Sequence, residues 1–445
     1  MPPVYAVKTH KMPRTRSIQV RFVLVIWLFL LSAVAFLDRT NLLIAAISLR
    51  SEYQLSYVQL GRVLSAFSAG YAIFQVPGGW LAGRIGPRRL LTLGLLWWGL
   101  FTILTTTVPT HIKEALVLLV AVRFALGAGE AVVYPASNQF VARWFPVQER
   151  GIANGWIFAG VGAGSTLAPL LLPWIITHHG WRASFWFSAL VGFFAGVGWY
   201  LIARDTPQEH PFASPEEVAY IQEGLTLKTE PEISAASVDS TLEAGSLWLR
   251  IARSPSVWAV TFSYFTYGYV AWIFFTWFYT YLVEVRHVDL KVSARYTMLP
   301  FIAMTVCCLL GGVLNDWATG RYGLRVGRCF LASLSLVLTG AFLVFGSTLH
   351  SAQSASMVLS ASVGALYLSQ SSYWSITADI AGTHAGLVSG IMNMGGQVGG
   401  FVTALLTPVI AGRFGWNVPF FVAAVLAALG GLAWLLVNPT RRVGS

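Results

Sequence analysis

Long apolar runs alternate with short polar segments along the whole chain. A membrane-crossing helix needs about 20 mostly apolar residues, and twelve such runs can be read. They centre on Ser32, Ala69, Trp97, Gly127, Gly162, Gly192, Val270, Val306, Leu334, Gly364, Gly399 and Ala424. The first six end near Ala203 and the last six begin near Ser256. Between them lies a polar stretch rich in acids, with Pro207, Pro211 and Pro215. It reads as a linker with one surface helix near Glu216–Glu223. The predicted organisation is a tail over 1–21, a six-helix bundle over 22–203 and a linker over 204–254. A second six-helix bundle over 255–438 and a tail over 439–445 complete it.

Composition supports a membrane protein. Of 445 residues, 56% are hydrophobic and 11% charged, and the mean hydropathy is +0.65. A soluble domain carries about 25% charged residues, so a large soluble enzyme is excluded. The net charge of +11 would suggest nucleic acid in a soluble protein. Here the basic residues cluster between apolar runs, so they report topology and no nucleic-acid partner is expected. Placing the N-terminus inside puts 19 of the 29 Lys and Arg on the cytoplasmic side, 8 outside, and leaves Arg39 and Arg123 within spans. That bias places both termini in the cytoplasm, for a multi-pass protein of a bacterial inner membrane. Ala33-Val34-Ala35 fits a signal-peptide cleavage site. An uncleaved first helix is preferred, because apolar character resumes past Asp38-Arg39 and cleavage would leave an odd number of spans.

The two halves repeat. Gly151, Gly155, Gly160, Gly164, Pro173, Gly180, Trp181 and Phe185 recur 235 positions later as Gly386, Gly390, Gly395, Gly399, Pro408, Gly415, Trp416 and Phe420. Gly79-x-Leu81 recurs as Gly312-x-Leu314. The fold expected is an all-α membrane protein of twelve helices, in two six-helix halves related by a pseudo-two-fold axis, with a site at midplane between them. The glycines read as close helix contacts. The run Gly160–Gly164 lacks the strand–turn–helix setting of a dinucleotide loop.

Four charges stand inside spans: Asp38 and Arg39 in the first, Arg123 and Glu130 in the fourth. Each costs at least ~2.5–3.5 kcal/mol at the bilayer centre, so such residues are normally paired or face a cavity. Arg123 and Glu130 are seven apart and share a helix face, with Gly127 and Gly129 leaving room. An anion that occupies an arginine removes its help from a neighbouring carboxylate, which then takes a proton more readily. The bland alternative is a neutral assembly clasp. Asp316 with Arg321, and Gly86 with Arg88 and Arg89, read as latches at cytoplasmic ends, and Asp379 as a latch or cap. Tyr71, Gln75, Trp374 and Asn393 read equally as packing or substrate contacts. His178, His179, His287, His350 and His384 sit at predicted ends. Cys307, Cys308 and Cys329 show no metal-ligand spacing and imply no disulfide framework. No P-loop, paired-His metal motif or nucleophile elbow appears in the sequence, which disfavours ATP-driven transport, hydrolysis and a metal site.

The segment Gly79-Trp80-Leu81-Ala82-Gly83-Arg84-Ile85-Gly86-Pro87-Arg88-Arg89 resembles the loop motif of the major facilitator superfamily. Phe36-Leu37-Asp38-Arg39, Tyr71-x-x-x-Gln75-x-Pro77-Gly78-Gly79-Trp80, Arg123 with Glu130, and Ser389-Gly390-Ile391-Met392-Asn393 more narrowly resemble the anion:cation symporter family. That family includes bacterial D-galactonate, glucarate and hexuronate transporters and vesicular glutamate and sialic acid transporters. The resemblance implies that Arg39 binds a substrate carboxylate, and that Asp38 and Glu130 carry protons with Arg123 tuning them. Tyr71, Gln75, Trp374 and Asn393 would contact substrate, and Arg84, Arg88, Asp316 and Arg321 would form the cytoplasmic latch. Three positions depart from the pattern. Gly83 replaces an acid, Phe36 stands where sugar-acid members often have Tyr, and Gly160 where they often have Gln. Losing hydrogen-bond groups argues against a polyhydroxylated substrate and toward a less hydroxylated carboxylate. The expected function is proton-coupled import of a small organic anion by a monomeric carrier in the lipid bilayer, without cofactors. Two protons per monoanion would carry net charge inward. Rivals are anion antiport, drug or metabolite efflux, and a membrane-embedded receptor or enzyme.

Overall fold

The computed structural model describes residues 19–110, 114–225 and 247–443. Lys8, Lys11, Arg14, Arg16, Lys113 and Lys228 of the charge count, and part of the expected linker, lie outside these residues. The described residues are almost wholly helical and contain no strand. The first half comprises α1 (Val20–Glu52), α2 (Tyr57–Ile85), α3 (Pro87–Thr107), α4 (Ala115–Glu130), α5 (Val133–Trp144), α6 (Arg150–His179) and α7 (Trp181–Ile202). A surface helix, α8 (Pro215–Leu225), follows. The second half comprises α9 (Pro255–Thr276), α10 (Leu290–Tyr322), α11 (Leu331–Thr348), α12 (Ala352–Leu368), α13 (Gln370–Ala381), α14 (Ala385–Phe414) and α15 (Asn417–Ala433).

Among the described residues, nine helical stretches are long and apolar enough to cross a membrane. One of them, Ala352–Phe414, contains both the tenth and the eleventh span, and α2 and α9 complete the twelve. The fourth span is broken into α4 and α5, and the tenth into α12 and α13. These matching interruptions display the repeat in the backbone. Two further pairs do so as well. Gly86 (φ 87°) and Gly323 (φ 86°), and Gly180 (φ 81°) and Gly415 (φ 85°), turn the chain at corresponding helix ends. At positive φ only glycine is free of the Cβ penalty.

The outer surface carries large apolar side chains. Ile47 is 82% exposed, and Trp97, Phe194, Phe401 and Leu435 are also exposed. In water this would be an unstable surface, whereas hydrocarbon solvates it. Polar groups are instead turned inward, so Asp38, Glu130, Gln75, Arg328 and Asp379 are buried.

Repeat-related glycines make repeat-related contacts. Within the first half, a side chain at Gly160 or Gly164 would collide with the backbone of Phe29 or Ala33 on α1. Within the second, Gly395 and Gly399 lie equally close to the backbone of Thr261 and Phe265 on α9. Gly160 is therefore a helix-contact residue, which explains why no larger side chain stands there. Between the halves, Gly79 of α2 lies against Gly386 of α14, and Gly312 of α10 against Gly151 of α6. These two crossings form a seam at the termini-bearing end of the bundle. Asn138 Nδ2 donates to Thr377 Oγ1 at 2.8 Å, and Ala142, Ala378 and Ala385 pack together there.

Candidate functional site

Adjacent residues on a helix point about 100° apart, so α1 sends Asp38 and Arg39 in different directions. Asp38 turns into the first half, where its Oδ2 accepts from Trp98 Nε1 at 2.7 Å and Thr102 Oγ1 at 3.4 Å. Arg39 turns toward the boundary between the halves. Its Nη2 donates to Glu130 Oε1 at 2.5 Å. Its guanidinium lies 4.4 Å from the Tyr71 ring centre and 4.6 Å from that of Phe36. Glu130 is fully buried, and its second oxygen has no hydrogen-bond partner. Arg123 is also buried, 5.1 Å from the Phe67 ring, within electrostatic range of Asp38 and Glu130. Arg123 shares a helix face with Glu130 without pairing to it. The direct partner of Glu130 is instead Arg39 on another helix, and Arg123 balances Asp38 from behind.

A cavity between the halves adjoins this cluster. Among the described residues, Arg39 is the one charged residue in its wall. The first half also contributes Phe36, Tyr71 and Tyr134, and the second half Tyr264, Tyr267, Trp272, Tyr367, Gln370 and Asn393. Asn393 Nδ2 donates to Gln75 Oε1 at 2.9 Å and approaches Tyr71 Oη at 3.5 Å, which joins α14 to α2. Gln75 and Trp374 do not line the cavity. Trp374 lies one layer behind, its ring centre 4.8 Å from that of Phe158 and its Nε1 donating to Tyr264 Oη at 3.3 Å. The sequence reading did not select Tyr134, Tyr264, Tyr267, Tyr367 or Gln370. The available signal was Tyr264-x-x-Tyr267, a polar-tipped pair at helical spacing inside an apolar run.

The termini-bearing seam contains Asp316 and Asp379 from the expected latch residues, but pairs them with Arg150 and Arg328. Arg150 Nη1 donates to Asp379 Oδ1 at 2.7 Å, and Arg328 Nε donates to Asp379 Oδ2 at 2.9 Å. Arg328 Nη1 also reaches Asp316 Oδ1 at 3.2 Å. Asp316 accepts from the amides of Gly151 and Ile152 at 2.8 and 2.6 Å, so it caps the start of α6 in the other half. The expected Asp316–Arg321 pair does not form, and Arg321 lies beside Tyr322. Arg84 stacks on Trp80, 4.0 Å from its ring centre. Arg88 stays within the first half, where its side chain donates to the Tyr200 carbonyl and its amide to Asp205. Gly83, the repeat mate of Asp316, has only the Thr383 carbonyl near its would-be Cβ. Across from it, the Gly386 amide is taken by Gln139 Oε1 at 2.9 Å. The seam thus has one carboxylate cap where the repeat offers places for two.

A family model described as "Major Facilitator Superfamily" matches residues 28–404 and 318–445. The chain is 34% identical over 420 residues to the "Probable sulfoacetate transporter SauU" of Cupriavidus necator, covering 93% of this chain and 92% of that protein. It is 30% identical over 425 residues to the "Ascorbate transporter, chloroplastic" of Arabidopsis thaliana, covering 95% and 76%. It is 28% identical over 444 residues to the "Probable galactarate/D-glucarate transporter GudP" of Bacillus subtilis, covering 97% and 95%. Among solved structures, the proton:xylose symporter XylE superposes with a TM-score of 0.75 at 14% identity, covering 95% of this chain and 97% of that one. That last likeness concerns the fold alone.

Proposed function

We propose, from the premise that the chain belongs to the Major Facilitator Superfamily and to its anion transporters, that it imports a small organic anion together with protons. The observation that carries the reading is Arg39, which lines the cavity while holding the buried Glu130. One cation serves two anions. A substrate anion that takes the guanidinium displaces Glu130, and a carboxylate left unpaired in a buried site takes up a proton. Anion and proton thereby load together. Asp38, backed by Trp98 and Arg123, is the second proton carrier in this reading.

The two halves would rock about the midplane site. The Lys and Arg distribution supports a seam that faces the cytoplasm of a bacterial inner membrane, in which case the structure described would be an outward-facing stage. The proton gradient supplies the driving force and no cofactor is needed. A monomeric carrier is part of the same proposal. The relatives' names span sulfoacetate, ascorbate and sugar acids. Phe36 in the wall, with Gly160 withdrawn into a helix contact, favours a compact carboxylate or sulfonate over a hexonate.

Proteoliposome uptake driven by an inward proton gradient tests this. Glu130→Gln should abolish accumulation while counterflow persists. Wild-type uptake indifferent to both pH gradient and voltage would refute the coupling. A second reading rests on the nine aromatic rings among the seventeen lining residues, which suit export of an aromatic acid by antiport. Trans-stimulation by aromatic acids, without any proton dependence, would select it.

A further inference from the structure

The two walls of the cavity differ in kind. The first half presents the charge, Arg39, whereas the second presents only neutral polar groups: Tyr264, Tyr267, Tyr367, Gln370, Asn393 and Gln397. Three of these are phenols drawn from α9 and α12. Their rings are fixed by packing, with Tyr264 stacked on Tyr267 at 5.0 Å and Tyr267 edge-on to Tyr367 at 5.4 Å.

The Tyr264 hydroxyl oxygen accepts from Trp374 Nε1 at 3.3 Å and from Gln370 Nε2 at 3.1 Å. With its lone pairs occupied, its own hydrogen remains to be donated. In this arrangement Gln370 Oε1 is left without a partner. If the Gln370 amide is turned over, Tyr264 donates to its oxygen and the amide NH₂ becomes the available donor. Either way this triad presents donor hydrogens to the cavity. Tyr267 and Tyr367 add another, because when one of these neighbouring hydroxyls donates to the other, the accepting hydroxyl keeps its own hydrogen for the cavity. Trp374 acts here as a positioning residue. It lies behind the wall and fixes which way Tyr264 donates.

The geometry points to a second, uncharged oxyanion subsite made by Tyr264, Tyr267, Tyr367 and Gln370, so that the substrate is a short acid with two oxyacid ends. One end would take Arg39, and the other would receive hydrogen bonds from the phenols. This rests on the anion-transport reading and narrows its substrate class. A monoacid with an alkyl tail would bury these donors without acceptors, at about 1–3 kcal/mol for each. A polyol chain brings donors of its own to a wall that already has donors in excess. A sulfonate or second carboxylate supplies acceptors only, which suits the phenol and amide donors of this wall.

Binding to the purified full-length protein, measured by thermal shift and equilibrium titration, tests the assignment with four probes: propionate, malonate, sulfoacetate and gluconate. Malonate or sulfoacetate should bind at least tenfold tighter than propionate and gluconate. Tyr264→Phe and Tyr267→Phe should each cost the two-headed acids about tenfold, as expected for one lost hydrogen bond to an anion, and change propionate affinity less than twofold. Trp374→Phe should produce a smaller loss with the same selectivity. If the acids bind but propionate equals the two-headed acids, or if the phenylalanine variants weaken all acids alike, the subsite is refuted and the anion reading stands. If no acid binds, the anion reading itself falls.

Discussion

Asp379 offers the sharpest test of how the seam holds the closed state. Its two oxygens take Arg150 from one half at 2.7 Å and Arg328 from its own half at 2.9 Å, and both arginines are buried. Asp379→Asn removes the charge and leaves two guanidiniums facing one another, with Asp316 alone to balance them. Breaking a buried pair from one side costs about 3–5 kcal/mol. The asparagine oxygen still accepts one hydrogen bond, which returns about 1 kcal/mol. A net loss near ~3 kcal/mol in the closed state alone raises the open-to-closed ratio about a hundredfold. The reporter is Ala385→Cys, buried in the seam, with Cys307, Cys308 and Cys329 replaced by serine. Its labelling by an impermeant maleimide should rise by about two orders of magnitude in Asp379→Asn. A second reporter, Ala271→Cys in the cavity wall, separates opening from unfolding. Labelled from the far face of sealed vesicles, it should react more slowly when the seam opens and faster if the protein unfolds. Unchanged labelling at Ala385→Cys in a folded Asp379→Asn protein would refute the view that these charges hold the closed state.

Other outcomes follow from the same contacts. Gly79→Ala places a methyl against the Gly386 carbonyl, so the folded protein should fail to close its termini-bearing end; transport is expected to be lost with Ala385→Cys labelling high. Gly83→Asp restores the second carboxylate in open space near the start of α14. A helix-terminal charge contributes about 0.3–1 kcal/mol, so that labelling should drop about two- to fivefold and turnover should slow. Glu217→Ala removes the carboxylate that accepts the Val20 and Arg21 amides and the Arg21 guanidinium. The first half should then lose about 1–3 kcal/mol, seen as a lower melting temperature, while Glu149 continues to hold Arg21.

Much of the fold is legible in the sequence because a bilayer allows few solutions. Twelve apolar runs must be helices, and a shared offset of Gly, Pro, Trp and Phe must be a repeat. The repeat even foretells partners, since Gly79 and Gly312 find Gly386 and Gly151. Asp38, Arg39, Arg123 and Glu130 stand out because so few charges exist to compete for attention. Which of them pair is not legible, because pairing depends on how helices are rotated against one another. Arg150 and Arg328 were hidden by their position: a basic residue at a span end reads as topology whether or not it bonds across a seam. The phenols of the second half were hidden by chemistry, since tyrosine in an apolar run looks like packing until its hydroxyl is traced.

The unequal seam described above has a mechanical consequence. Along the α6–α10 edge, the Arg150–Asp379 ion pair crosses between the halves, and Asp316 and Arg328 bond to backbone groups of the first half. Along the α2–α14 edge the halves touch through bare glycine backbone and the neutral Gln75–Asn393 contact. Two edges held so differently do not part together. In the proposed rocking motion the glycine edge would part first and the charged edge would act as the hinge, so water from the termini-bearing side would first enter between α2 and α14.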